Sequence, residues 1–407
     1  MFDDLDIQNT RERLLVGLAD TALGVAALPG RLMRGHAPAT PRRVLLLRLE
    51  RIGDLLMSVG AITEIRRRLP DATIDLVVGS WNEALAGLLP VNSVEVLDAP
   101  WLARGTTAGS IGGLLRRAAG WRGRRYDLAI NLEGDIRSNL LPWAAGAKRR
   151  VGFGIAGGGP LLTDVVPYDA TRHVAANLAA LVERSLDLPA GSVPAPPAAA
   201  ALDRARIVLP DRARASARAS LAQLAGGILP ASLLALHTPG GRAIKQWPAE
   251  RFAEAASRLA REMDASVVLT GGPDDRAFVD EAESRLAAAG VRTLRLDGPS
   301  DLVILAGILA QCRLLLTGDT GPMHLAAAVG TPIVAVFGPS MPWRYAPLAA
   351  DHRIVRVDLP CSPCNRIRQP PERCVGHTPD CLVGVTIDMV VAAGRDLLAS
   401  TLAIPRP

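Results

Sequence analysis

The chain has 407 residues, 49% of them apolar, and a net charge of +6. That length exceeds one ordinary hydrophobic core, so two domains are expected. A charge excess this small over so long a chain does not mark a nucleic-acid surface, and 3% aromatics with abundant Ala and Leu favour helices over an all-β design.

Residues 1–40 read as an amphipathic N-terminal extension. Within it, 9–28 has helical spacing, with Arg11 and Arg13 near the start. Such a helix either packs on the first domain or lies on the inner membrane face. The opening MFDDLD is acidic, unlike a secretory leader, and the apolar stretch 14–29 is interrupted by Asp20 and too short to span a bilayer. The expected location is cytoplasmic.

Residues 41–186 form the expected first domain. VLLLRL (44–49) is a continuous apolar run, as a strand buried on both faces requires. Gly53 supplies a turn, a helix follows from about Asp54 to Arg68, and IDLVV (74–78) is the next strand. VEVL (94–97) and DLAINL (127–132) continue the alternation, which predicts a parallel, doubly wound sheet. The stretch 187–205, DLPAGSVPAPPAAAALDRA, is Pro- and Ala-rich without periodicity and reads as a linker.

The pattern restarts over 206–385. SLLALH (232–237), SVVLTG (266–271), TLRLDG (293–298), CRLLLTG (312–318) and IVAVFG (333–338) are predicted strands, and 247–262 is a helix with Pro248 in its first turn. Residues 386–407 form a C-terminal helix and tail. Two such α/β domains leave a cleft between them, and ligands of open α/β sheets sit at the carboxyl ends of the strands.

Four motifs fall at such ends. In GDTGPMHLAAAVGTP (318–332), Asp319 and Thr320 can cap a helix that starts near Pro322, Gly321 leaves its N–H open, and His324 lies in the first turn. A helix N-terminus suits phosphate, although a capped helix with a buried His explains the stretch equally well. HTPGGRAIKQWP (237–248) joins Gly240 and Gly241 to Arg242 and Lys245, one of only two lysines. This is a second phosphate-ready element without the P-loop spacing. In LTGGPDDRAF (269–278), Asp274 or Asp275 suits a ribose, a base or a plain turn. In RLERIGD (48–54), Asp54 is either a general base or an N-cap. Cys312 reads as a small core residue. Cys361, Cys364, Cys374 and Cys381, with His377 among them, have donors for zinc, but the second pair lacks knuckle spacing, so no metal is assigned.

Together the four motifs resemble glycosyltransferase family 9, the lipopolysaccharide heptosyltransferases. RLERIGDLL, PGGRAIKQWP, LTGGPDD and GDTGPMHLAAAVGTPIVAVFGPS follow the family's order across most of the chain, and the last fits its D-[ST]-G-x-x-H-x-A-x-A-x-G-x-P core. The resemblance implies a GT-B fold: two Rossmann-like domains facing a cleft, with the sugar nucleotide on the second. It implies inverting, metal-independent transfer from ADP-heptose to a lipid-linked inner-core acceptor at the inner membrane. By the same resemblance Asp54 is the base and Lys245 neutralises the diphosphate. Asp319, Thr320, Gly321 and His324 surround the diphosphate and sugar, and Asp274 or Asp275 is a looser nucleotide contact. Met57 stands where the family often has His, and Gly240–Gly241 replace a hydroxyl-bearing pair of some members; both differences bear on the acceptor. Basic segments such as RRAAGWRGRR (116–125) are candidates for lipid or acceptor phosphates. No cofactor and no nucleic-acid partner is expected. The alternatives are another nucleotide sugar, a protein or capsule acceptor, or a binding protein without catalysis.

Overall fold

The computed structural model describes residues 5, 7, 9–26, 40–102, 110–297, 301–349 and 351–402. Two units, Met1–Ala205 and Arg206–Pro407, each carry one sheet. The first sheet contains β1 (Arg43–Arg48), β2 (Thr73–Val78), β3 (Ser93–Val96), β4 (Leu128–Asn131), β5 (Arg149–Phe153) and β6 (Asp164–Val166). They pair in the order β3-β2-β1-β4-β5-β6, all parallel. Val44 to Leu47 of β1 are fully buried because helices cover both sheet faces.

Those helices are α1 (Thr10–Ala26), α2 (Ile52–Arg68), α3 (Ile111–Gly120), α4 (Ile136–Ala144), α5 (Val174–Ser185) and α6 (Ala199–Arg204). α1 begins one residue later than expected, and residues 27 and 28 of the expected helix lie outside the described residues. The end of the expected linker is itself helical. α6 packs on α2, where the Arg204 guanidinium meets the buried Glu64 carboxylate at 2.8 Å, so this segment belongs to the first unit. The Ala and Leu content that looked structureless supplies a helix with one buried contact.

The second unit opens with α7 (Asp211–Leu224). Its sheet contains β7 (Leu233–His237), β8 (Ser266–Gly271), β9 (Thr293–Asp297), β10 (Leu314–Gly318), β11 (Ile333–Val336) and β12 (His352–Val355). The order is β12-β11-β10-β7-β8-β9, again parallel. In this sheet β7 and β10 are the central pair, as β1 and β4 are in the first. α8 (Ala249–Glu262), α9 (Arg276–Ala288), α10 (Leu302–Leu309), α11 (Gly321–Ala328) and α12 (Ile387–Leu402) accompany it. α12 adds Val390, Val391 and Leu397 to the core around Trp247 and Phe252, and the Trp247 indole donates to the Val385 carbonyl at 3.2 Å. Among the described residues no helix is long and apolar enough to cross a membrane.

In each sheet the strand order reverses at this central pair. Chain leaving the two strands turns to opposite faces and opens a crevice at their carboxyl ends. Most of the candidate residues sit at those two points, after β1 in one unit and after β7 and β10 in the other, while Asp274 and Asp275 follow β8, the neighbour of β7.

Candidate active site

In the second unit, Lys245 leaves a short turn after β7 and Asp319 directly follows β10. The Lys245 ammonium donates to Asp319 Oδ2 at 2.7 Å, and the Ser340 hydroxyl donates to the same oxygen at 2.5 Å. Asp319 and Ser340 are buried. Burial opposes the carboxylate, yet Lys245, Ser340 and nearby His324 together hold Asp319 below the usual aspartate range.

This corrects the capping expectation. Asp319 faces the lysine rather than the α11 N–H groups. Thr320 occupies the N-cap backbone position without a side-chain cap, and its hydroxyl instead meets that of Thr317 at 3.1 Å. Gly321 and Pro322 open α11. Pro322 has no N–H, so Gly321 and Met323 carry the first-turn donors that lack a carbonyl one turn back. His324 is buried in that turn.

The glycine loop is folded rather than loose. Gly240 accepts from the Gln246 amide at 3.1 Å, and a Cβ at Gly240 would stand 2.8 Å from Gln246 Cγ, so a side chain there would push the lysine turn away. Gly241 and Arg242 are exposed. Asp275 Oδ2 accepts the Gly272 N–H at 2.8 Å and thus closes its own turn, while Asp274 is exposed. Of that pair Asp274 is the more exposed, and Asp275 is half-buried.

Beside these residues lies His237, the last residue of β7, buried against Thr270 at 3.1–3.2 Å. Burial lowers its pKa to about 4 from 6.5, against the opposing pull of Asp275 and the Thr270 carbonyl. The unfolded chain takes up this proton near 6.5 and the folded unit only near 4. The second unit is therefore expected to lose stability as pH falls through that window, by on the order of 3 kcal/mol from this group. Hydrogen exchange resolved by unit, measured across pH 7 to 4 (~3 pH units), checks this. His237→Gln is expected to flatten the dependence in the second unit alone.

In the first unit, α2 begins at Ile52, so Asp54 is the third helical residue rather than its N-cap. Asp54 Oδ2 accepts the Arg51 N–H at 3.1 Å, which satisfies one donor of the entering turn. About a third of its side chain is exposed, at 32%. Arg48 lies buried beside it. Its Nε donates to the Asp54 carbonyl at 3.0 Å, one terminal nitrogen reaches the Leu132 carbonyl at 2.6 Å, and the other stands 3.8 Å from Asp54 Oδ1. The Glu50 carbonyl accepts from Trp81 Nε1 and Asn82 Nδ2, both at 2.8 Å, and Arg51 stacks over Trp81. The 49–54 turn is thus held from several sides. Glu133, buried after β4, accepts the Leu49 and Glu50 N–H groups, and burial raises its carboxyl pKa despite the opposing field of Arg48. Met57 is buried in the core.

Arg48 and Ser340 stand at the ends of quoted motifs without having been singled out, and Glu133 lies in none. What marks them is position: each ends, or closely follows, a strand at or beside the order reversal. The basic segment 116–125 is largely committed elsewhere. Arg117 and Arg124 pair with Glu95, Arg124 also with Asp75, and Arg122 donates to the Ala144 carbonyl, leaving Arg116 and Arg125 exposed. Cys361, Cys364, Cys374 and Cys381 are free thiols, and burial pushes the Cys381 thiol up. Among the described residues no three Cys, His, Asp or Glu side chains are grouped as metal ligands.

Two parallel six-stranded sheets, each with polar side chains at its reversal, are the architecture of a GT-B glycosyltransferase. The pattern of glycosyltransferase family 9 (heptosyltransferase) matches residues 115–374, and the chain belongs to that family. It is 28% identical over 325 residues to lipopolysaccharide heptosyltransferase 2 of Salmonella typhimurium, covering 77% of this chain and 88% of that protein. The solved E. coli ADP-heptose LPS heptosyltransferase II has a TM-score of 0.68 at 23% identity, covering 88% of this chain and 99% of that one. A family 9 glycosyltransferase from Veillonella parvula has a TM-score of 0.71 at 24% identity, covering 90% and 99%.

Proposed function

We propose that this glycosyltransferase moves a heptose from ADP-heptose to a lipid-linked, inner-core lipopolysaccharide acceptor, with inversion at the anomeric carbon. The reaction runs at the cytoplasmic face of the inner membrane, with peripheral contact. The observation that carries the reading is the Lys245–Asp319–Ser340 cluster at the N-terminus of α11. Family membership and relatives named for lipopolysaccharide heptosyl transfer support the donor and acceptor.

Asp54 takes the proton from the acceptor hydroxyl. The hydroxyl oxygen attacks the anomeric carbon from the side opposite the diphosphate, a new C–O bond forms, and the bond to the leaving diphosphate breaks. Lys245 meets the charge that develops on that diphosphate. Asp319 takes one of its three N–H donors and fixes its direction, so the others serve the ligand. The Gly321 and Met323 N–H groups add the dipole of the helix end. Arg242 and Asp274 serve the nucleotide.

Calorimetry of ADP-heptose against UDP- and GDP-sugars, with chelator present, tests the donor. Selective ADP-heptose binding, undiminished by the chelator, is the expected result. Preference for another nucleotide would leave the phosphate site standing and remove the heptosyl assignment.

A further inference from the structure

α1 has two faces. Its inner side is fastened to the first unit: Asp20 Oδ1 accepts the Gly158 N–H at 2.6 Å, Gly24 packs on Pro160, and Gly17 is buried. Val16 approaches Gly157 so closely that a Cβ there would stand 2.3 Å from Val16 Cγ1. Asn9 caps the helix by accepting the Arg11 and Glu12 N–H groups. The helix is therefore held in one orientation, and the opposite face is fixed with it.

That opposite face is apolar and uncovered. Leu14, Leu15, Leu18 and Val25 are 47%, 67%, 52% and 66% exposed, and Ala22 lies between them. At the α-helical repeat these five residues and the exposed Arg11 share about 100° of the circumference, the width of a core-facing stripe. Two neighbours extend it. Val165 is 51% exposed and packs beside Gly159, next to the Pro160 that meets α1. Trp143 is 49% exposed and lies two turns along α4 on the face of Ile136, which touches Gly157 and Gly158 under α1.

We infer that this stripe is the surface by which the enzyme lies on an anionic lipid bilayer. The inference rests on the proposal of a lipid-linked acceptor, which obliges the enzyme to work at a membrane. Charge favours the same occupant. Of the six residues on the stripe the one charged side chain is the cationic Arg11, and Asp20 is turned inward on Gly158, while the acidic Asp3, Asp4 and Asp6 precede the helix in sequence. Leucines beside arginines, with a half-exposed tryptophan nearby, are the composition of helices seated among lipid headgroups. The placement also suits the chemistry. Asp135 holds the Arg137 guanidinium above its ordinary pKa and Glu12 adds to the effect, so the start of α1 lies near the carboxyl end of β4. That is the sheet edge that carries Asp54.

Flotation of the full chain with phosphatidylethanolamine–phosphatidylglycerol vesicles, and with phosphatidylcholine vesicles, tests this. The expected result is binding to the anionic vesicles that weakens with salt and falls at least about tenfold in Leu15→Glu/Leu18→Glu. Turnover on a delipidated, soluble acceptor should stay unchanged in that variant. Leu15→Gln/Leu18→Gln should fall in the same direction, which separates lost apolar contact from charge repulsion. Wild type that ignores both vesicle types, or variants that bind like wild type, would overturn the inference. So would a wild-type dimer that the Glu pair converts to monomer, because the stripe would then join two copies of the chain. The vesicles contain no saccharide, so failure of the heptosyl reading would show in donor calorimetry and leave this result untouched.

Discussion

Asp54→Asn is expected to lower kcat by about a thousandfold while leaving ADP-heptose affinity and folding nearly intact. The substitution separates two jobs of one side chain. An asparagine side chain still presents an oxygen that accepts the Arg51 N–H, now met at 3.1 Å, so the entry turn of α2 keeps its hydrogen bond. The lost charge near the helix N-terminus costs only ~0.3–1 kcal/mol. What the amide cannot do is take a proton from an alcohol. Arg48 and the Leu132 and Glu50 carbonyls hold the turn independently of the carboxylate charge, so the side chain should remain in place. Single-turnover kinetics beside calorimetry checks this. A variant with a near wild-type rate would remove Asp54 from the mechanism, and lost donor binding would give it a different role. Asp54→Ala should add a loss of stability of about 1 kcal/mol through the missing cap.

Much of the fold is legible because central parallel strands must be apolar throughout, and β1, β4, β7 and β10 are largely so. The strands that escape sequence reading sit at or next to the edges. β5 opens on Arg149 and Arg150, β6 is three residues long with Val165 exposed, and β12 begins His352-Arg353. An edge strand has one neighbour and a half-solvated face, so its residues need no continuous apolar run. The site divides in a similar way. Lys245 and the start of α11 are legible from local chemistry, a lone lysine after a glycine loop and a Gly-Pro helix entry. The partner of Asp319 is not. An aspartate between a strand and a helix reads as a cap. Here the lysine 74 positions away and a serine after the neighbouring strand claim it instead. That choice depends on strand order, which local spacing does not encode. Asp54 shifts from the cap to the third helical position for a smaller reason: α2 starts at Ile52, ahead of its first charged residue.

Lys245→Met is expected to lower kcat/KM by about a hundredfold or more and to destabilise the second unit by about 3 kcal/mol or more, and the two losses have different causes. The first is the missing cation on the departing diphosphate. The second is the carboxylate left behind. Asp319 is buried and stays ionised chiefly because Lys245 lies 2.7 Å away; without the lysine only the Ser340 hydroxyl and the weaker field of His324 offset its desolvation. A second substitution separates the two. Lys245→Met/Asp319→Asn removes both charges, and the carbonyl oxygen of the new amide can still accept from Ser340, so stability should return to within ~1 kcal/mol of wild type. Activity should not return, because nothing replaces the cation. Denaturation midpoints for the second unit and steady-state kinetics for the single and double variants give both readings. If the double variant stays as unstable as the single one, the stem of Lys245 contributes by packing rather than by charge. If it recovers turnover, the diphosphate does not depend on this lysine, and the N–H groups of α11 must carry the developing charge alone.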